Sequence, residues 1–135
     1  MFMLTQGPGM NTAFPDTCNT PAAAGAPVPI PYADIATTAT TEPSADNVLI
    51  CCMPAITQLS QDLVSNGDEA GCMMGLASLR IDGESVYMVG CITIFTDGIP
   101  AQRLTSVTGQ NAMGVLPNAP GMTACPSQVT VLTLG

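Results

Sequence analysis

The sequence predicts an all-β domain of short strands joined by long loops. Turn clusters punctuate it roughly every 8 to 12 residues, the spacing of small β bodies. A short unit also occurs twice, 46 positions apart: Val48-Leu49-Ile50-Cys51-Cys52-Met53-Pro54-Ala55 and Ile94-Phe95-Thr96-Asp97-Gly98-Ile99-Pro100-Ala101. Each copy is a β-prone run, two turn-like or small residues, then an apolar residue followed by Pro-Ala. A strand that stops at a turn and restarts with proline has an edge that cannot extend freely. Its repetition implies internal pseudo-symmetry.

Taken in order, residues 1–46 read as an extended, proline-rich strap and residues 47–135 as the β-rich body of one domain. Pro21, Pro27, Pro29 and Pro31 favour polyproline-type backbone with few ladder bonds. Val28, Ile30, Tyr32 and Ile35 argue that this strap packs along the body, and Thr37–Thr41 then forms a polar connector. Val48–Ile50 is the first strand of the body. Ile56, Leu59, Leu63 and Val64 have helical spacing, which predicts a short helix over Ala55–Val64. Ser65–Gly71 is a turn cluster. Ser78–Ile81 and Ser85–Val89 are predicted strands around Asp82-Gly83, a hairpin-turn signal. Cys91–Phe95 is another strand, Gly109–Gly121 a loop carrying Pro117 and Pro120, and Gln128–Leu134 a closing alternating strand.

Composition narrows the class of protein. Apolar residues make up 47% of the 135 positions and charged residues only 9%, against roughly 25% charged in ordinary soluble domains. Such a chain reads as an assembly subunit with a covered surface; the alternative is a surface of Ser, Thr, Asn and Gln. The net charge is −8, with Arg80 and Arg103 the only cationic side chains and no histidine. Two arginines cannot displace the phosphate counterions that nucleic-acid binding requires, and anionic membrane surfaces are excluded by the same arithmetic. No signal-peptide pattern is visible at Met1–Met10, and no run has the length of a membrane span. The expected location is cytoplasmic, or export without a cleaved signal.

The usual Ser-His-Asp and Cys-His nucleophile arrangements need a histidine the chain lacks. Phosphate-loop and dinucleotide fingerprints are absent. Asp68 and Glu69 are sequence neighbours that point differently, a poor acid–base pair and a better turn cap. An enzyme is not expected. Six cysteines (Cys18, Cys51, Cys52, Cys72, Cys91, Cys125) read as reduced thiols. Small apolar neighbours suit Cys72 and Cys91 to a buried role. No paired C-x₂₋₄-C knuckle exists, so a structural zinc would have to draw thiolates from distant parts of the fold. No cofactor is expected, with such a zinc the alternative left open.

The segments Phe14–Pro21, Pro27–Tyr32, Ser65–Gly71, Gly98–Leu104, Thr105–Asn111 and Pro126–Leu134 resemble, in order and over nearly the whole chain, the PAAR-like spike-tip family of type VI secretion systems. The Pro-Ala pairs at Pro54-Ala55 and Pro100-Ala101 resemble the element for which PAAR proteins are named. The resemblance implies a small conical β body with pseudo-threefold units. It would sit as one copy on the blunt end of a trimeric VgrG-type β-helical spike, continue that spike's open strand edges, and dock effector or adaptor proteins. The capping residues expected from it are Pro54, Ala55, Gly98, Pro100, Ala101, Val129 and Val131, with the third unit ending in Val129–Leu134. The protein would stay cytoplasmic until firing and then travel with the spike. An effector adaptor, or the tail tip of a phage or extracellular injection machine, is the alternative. Typical PAAR tips bind zinc near the apex through mostly His with a Cys. Here the corresponding positions read Ile56 and Gln110, which puts a His-type site out of reach. Cys18 falls where relatives also carry Cys, as core, leftover ligand or remade thiolate ligand.

Overall fold

The computed structural model describes residues 1–135 and is all-β, with a three-residue 3-10 turn at Thr38–Thr40 as its only helix. The strands are β1 (Met10–Pro21), β2 (Pro27–Thr37), β3 (Thr41–Glu42), β4 (Ala45–Ile50), β5 (Met53–Ala55), β6 (Gln61–Asp62), β7 (Ser65–Asn66), β8 (Glu84–Tyr87), β9 (Phe95–Thr96), β10 (Ile99–Pro100), β11 (Val107–Ala112) and β12 (Ala119–Cys125). Eight form one sheet in the order β3-β6-β8-β11-β12-β1-β2-β7, and two small hairpins, β4-β5 and β9-β10, stand beside it.

The proline-rich N-terminal segment is extended, as its composition predicts, but it is not a strap with few ladder bonds. β1 and β2 form the longest hairpin in the molecule, paired from Met10↔Thr37 to Pro21↔Pro27. The reason lies in the proline spacing. Pro27, Pro29 and Pro31 alternate along β2, so their missing N–H groups all fall on one edge while Val28, Ile30 and Tyr32 face β1. The outer edge of β2 is paired only at Ile35 and Ala36, by β7.

Other expectations are corrected as well. Ala55–Val64 is not helical; Ile56 bonds to Leu4 and Gln102, far away in sequence, and Leu59 and Leu63 are exposed, so tertiary pairing overrides the helical spacing. Gly109–Gly121 is a loop only over residues 113–118; its two ends are the facing ends of β11 and β12. Gly109 and Gly121 serve close approach, since a Cβ on Gly121 would lie 2.4 Å from Thr12 O and one on Gly109 2.6 Å from Pro117 Cβ. Ser78–Ile81 and most of Cys91–Phe95 lie outside any strand, and Gln128–Leu134 contributes an isolated bridge, Phe2↔Leu132, rather than a regular strand. Cys72 is exposed while Cys91 is buried.

The interior is mainly polar, and large apolar side chains lie outside. Asn11, Asp16, Asp34, Asp62, Asp68, Gln102, Gln110 and Asn111 are among the buried residues, whereas Phe14, Leu49, Ile92, Phe95, Val115, Leu132 and Leu134 are exposed. The abundant Ser, Thr, Asn and Gln therefore do not supply the surface. Apolar packing is confined to two small clusters, Met3/Ala45/Ile50/Ala55/Ala101 and Leu4/Ile56/Tyr87.

Candidate functional site

Three segments, Phe2–Gln6, Pro54–Gln58 and Pro100–Leu104, meet in a closed ring of backbone bonds. Leu4 N donates to Gln102 O (2.9 Å), Gln102 N to Ile56 O (3.1 Å), and Ile56 N to Leu4 O (3.1 Å). Two residues further on, Gln6 N donates to Pro54 O (2.9 Å), Gln58 N to Pro100 O (2.9 Å) and Leu104 N to Phe2 O (2.8 Å). The N–H groups of Thr5, Thr57 and Arg103 each donate to a serine Oγ, on Ser127 (2.7 Å), Ser60 (3.0 Å) and Ser106 (3.0 Å). Each bond type occurs once per segment, in cyclic order. The segments are therefore equivalent by a pseudo-threefold relation, with Leu4, Ile56 and Gln102 fully buried at its centre.

Each segment carries an outer strand. Pro54 pairs with Leu49 in β4-β5, Pro100 with Phe95 in β9-β10, and Phe2 with Leu132 at the joined chain ends. Cys51 and Cys52 turn the first hairpin and Asp97 and Gly98 the second, all with positive φ, the geometry that matches strand twist in a two-residue turn. The third unit has no turn, because its strands come from the two ends of the chain; Met3 N donates to Val131 O and Thr133 N to Met1 O. The outer partners Leu49, Phe95 and Leu132 occupy equivalent positions and are 61%, 59% and 58% exposed. One large apolar side chain thus projects from each unit.

The sequence-predicted capping residues fall on this base. Pro54 and Ala55 lie in the second segment, Pro100 and Ala101 in the third, Gly98 in the β9-β10 turn, and Val131 in the unit formed by the chain ends, with exposed Val129 just before it. Val129–Leu134 supplies the outer arm of the third unit through the Phe2↔Leu132 bridge, and Phe2–Gln6, which the sequence reading does not single out, supplies the inner one. The repeat Leu4-Thr5-Gln6 and Ile56-Thr57-Gln58 is the signal that could have found it. A groove of about 710 Å³ runs along the flank, lined by Leu59, Val86, Met88, Ile99, Pro100 and Val115 among others.

From the base, β1 rises to the β1-β2 turn through a column of buried polar groups. Asn11 Nδ2 donates to Asp62 Oδ2 (2.6 Å) and Tyr87 Oη (2.9 Å), and its Oδ1 accepts from Thr123 Oγ1 (2.6 Å). Burial pushes the Asp62 carboxyl and the Tyr87 phenol up, the latter reinforced by the Asp62 charge. Above them Asn111 accepts from Gly83 N (2.7 Å) and Ser65 Oγ (3.2 Å) through Oδ1, while its Nδ2 donates to Asp16 Oδ2 and Asp68 Oδ2, both at 2.7 Å. Cys18 Sγ stands 3.5 Å from Asp16 Oδ1 and 3.4 Å from Asp68 Oδ2. Asn118 Nδ2 reaches Asp16 Oδ1, Thr17 O and the Cys18 sulfur. Burial and the neighbouring aspartates push the Cys18 thiol well above its ordinary value. Burial also raises Asp68, and it pushes Asp34 up to about 7 with help from the Asp68 and Asp16 charges. The sequence suits Asp68 to a turn cap, but its carboxylate is fully buried against Cys18, while Glu69 Oε1 accepts from Gly67 N. Ile56 packs with Leu4 and Tyr87 at the ring, and Gln110 is buried in β11.

These features define a class: a small, single-chain, pseudo-threefold β body with an apolar-studded base and a polar interior. The model of the toxin PAAR-like domain family matches residues 9–117, and the chain belongs to that family, as its motifs imply. The matched span omits Phe2–Gln6 and Pro126–Leu134, which close the third unit. No curated protein and no solved structure matches the chain. No helix is long and apolar enough to cross a membrane.

Proposed function

We propose that this protein is a non-enzymatic tip that caps the blunt end of a trimeric VgrG-type spike, one copy per trimer. The observation that carries the reading is the cyclic ring with its three equivalent projections, Leu49, Phe95 and Leu132. A single chain can satisfy three identical subunits only if it presents the same surface three times about the trimer axis, and this base carries one such unit three times. Three exposed apolar side chains around one axis suit an interface core. The stub hairpins beside them offer backbone edges that can continue the spike's strands. The hydrogen-bonded interior suits a part that must stay rigid while it pierces an envelope and carries docked effectors.

The test is co-expression with the neighbouring spike trimer, followed by imaging of the purified particle. Density for one copy on the blunt end supports capping; a chain that purifies alone with no spike density refutes it. In the same assay the triple variant Leu49→Asp, Phe95→Asp, Leu132→Asp is expected to remain folded and lose the spike. Retention of the spike by that variant would show that the base is not the contact face.

A further inference from the structure

Asp16, Cys18 and Asp68 are all buried, and one ligand atom from each lies within 4.8 Å of the other two. We infer that this apical cluster binds one divalent cation of the zinc class through an aspartate–thiolate–aspartate donor set. The chain has no histidine, so its available donors are carboxylates and thiolates, and this cluster supplies both. A tetrahedral zinc with Zn–S about 2.3 Å and Zn–O about 2.0 Å places sulfur and oxygen ligands roughly 3.5 Å apart. Cys18 Sγ already stands at 3.5 Å from Asp16 Oδ1 and 3.4 Å from Asp68 Oδ2. A soft sulfur donor disfavours calcium and magnesium, which take oxygen alone.

A second observation points to the same ion. Asp34 is fully buried, follows Tyr32 on the inward series of β2, and its Oδ2 has no hydrogen-bond partner; Asp68 Oδ1 has none either. The Asp34 carboxyl is close enough to be raised by the charges of both Asp68 and Asp16. Two buried carboxylates beside one thiol, with a third near enough to feel both charges, call for positive charge. Neither arginine supplies it, since Arg80 pairs with Glu84 at the surface and Arg103 belongs to the basal ring. Asn111 and Asn118 donate N–H groups to the aspartates, the kind of outer support that orients ligating carboxylates. On binding, the Cys18 thiol releases its proton to solvent as the sulfur–metal bond forms, and no electron changes hands. The ion fastens β1 to the 67–71 turn beneath the apex.

The experiment uses the full chain with the exposed Cys51, Cys52, Cys72 and Cys125 replaced by serine, stripped with chelator and titrated with cobalt(II) and zinc(II). Expected are one equivalent of cobalt, a thiolate-to-cobalt charge-transfer band, its displacement by zinc, and a higher melting temperature with either ion. Cys18→Ser should abolish the band, and Cys91→Ser, buried elsewhere, should leave it. Asp68→Asn, nearly isosteric, removes a direct ligand and should weaken cobalt binding at least as much as loss of an outer-shell partner does, about tenfold or more. A folded parent without the band at stoichiometric cobalt, or a band surviving Cys18→Ser, overturns the proposal. Should Cys18→Ser not fold, unchanged cobalt affinity in Asp68→Asn overturns it instead.

Discussion

Thr5, Thr57 and Arg103 each present a backbone N–H on the edge away from the ring, and a serine hydroxyl accepts each one. The bonds are local for Thr57 and Arg103, whose serines lie three residues on, but Thr5 depends on Ser127 at the other end of the chain. A backbone donor left without a partner costs roughly 1–3 kcal/mol. Ser106→Ala is therefore expected to lower stability by about 1–2 kcal/mol, read as an earlier urea midpoint at unchanged slope. Gly98 is a different case, since nothing lies within 4 Å of a Cβ placed there and only its φ of +78° resists substitution. Gly98→Val should cost about 1–2 kcal/mol through strain alone, and the same urea titration measures it. Pairing with the spike should weaken as the β9-β10 turn deforms, read by co-purification.

The β1-β2 hairpin shows how an element can be extended, proline-rich and still paired. Proline at every second position removes donors from the outer edge of β2 and none from the edge facing β1. That edge would otherwise be a template for another chain. Replacing Pro27, Pro29 and Pro31 together with threonine is expected to leave the hairpin intact and restore three outward donors. The variant should self-associate, seen as a concentration-dependent rise in mass by light scattering after size exclusion. A chain that stays monomeric would show that the prolines do not guard the edge.

Across the whole molecule, burying carboxylates rather than apolar side chains sets the response to pH. Asp34 is pushed up to about 7, and Asp62 and Asp68 are raised as well, whereas an unfolded aspartate titrates near 3.9. Between these values the folded chain holds more protons than the unfolded one, so folding stability falls as pH rises. The cation-free protein should melt at a higher temperature at pH 5 than at pH 8, and scanning calorimetry with chelator present checks the sign. Cation binding runs the other way, since its ligands must lose protons. Metal should raise the melting temperature more at pH 8 than at pH 5.

The sequence by itself determined the fold class, through its turn spacing, and two of the three basal units, because Pro54-Ala55 and Pro100-Ala101 repeat with their hairpins in local order. It also determined the family, through motifs spread along the chain. What only the tertiary structure decided is everything made of distant pairs. The third unit joins Phe2 to Leu132; the Leu4-Thr5-Gln6 repeat marks its inner strand, but no local turn announces that the strand's partner lies at the other end of the chain. Asp68 looked like a turn residue because its neighbours are turn formers, and only the fold sets it against Cys18 and Asn111. Ala55–Val64 is not a helix for the same reason: Ile56 is held by Leu4 and Gln102, and bonds closed across the whole chain outweigh a local apolar periodicity whose Leu59 and Leu63 stay exposed.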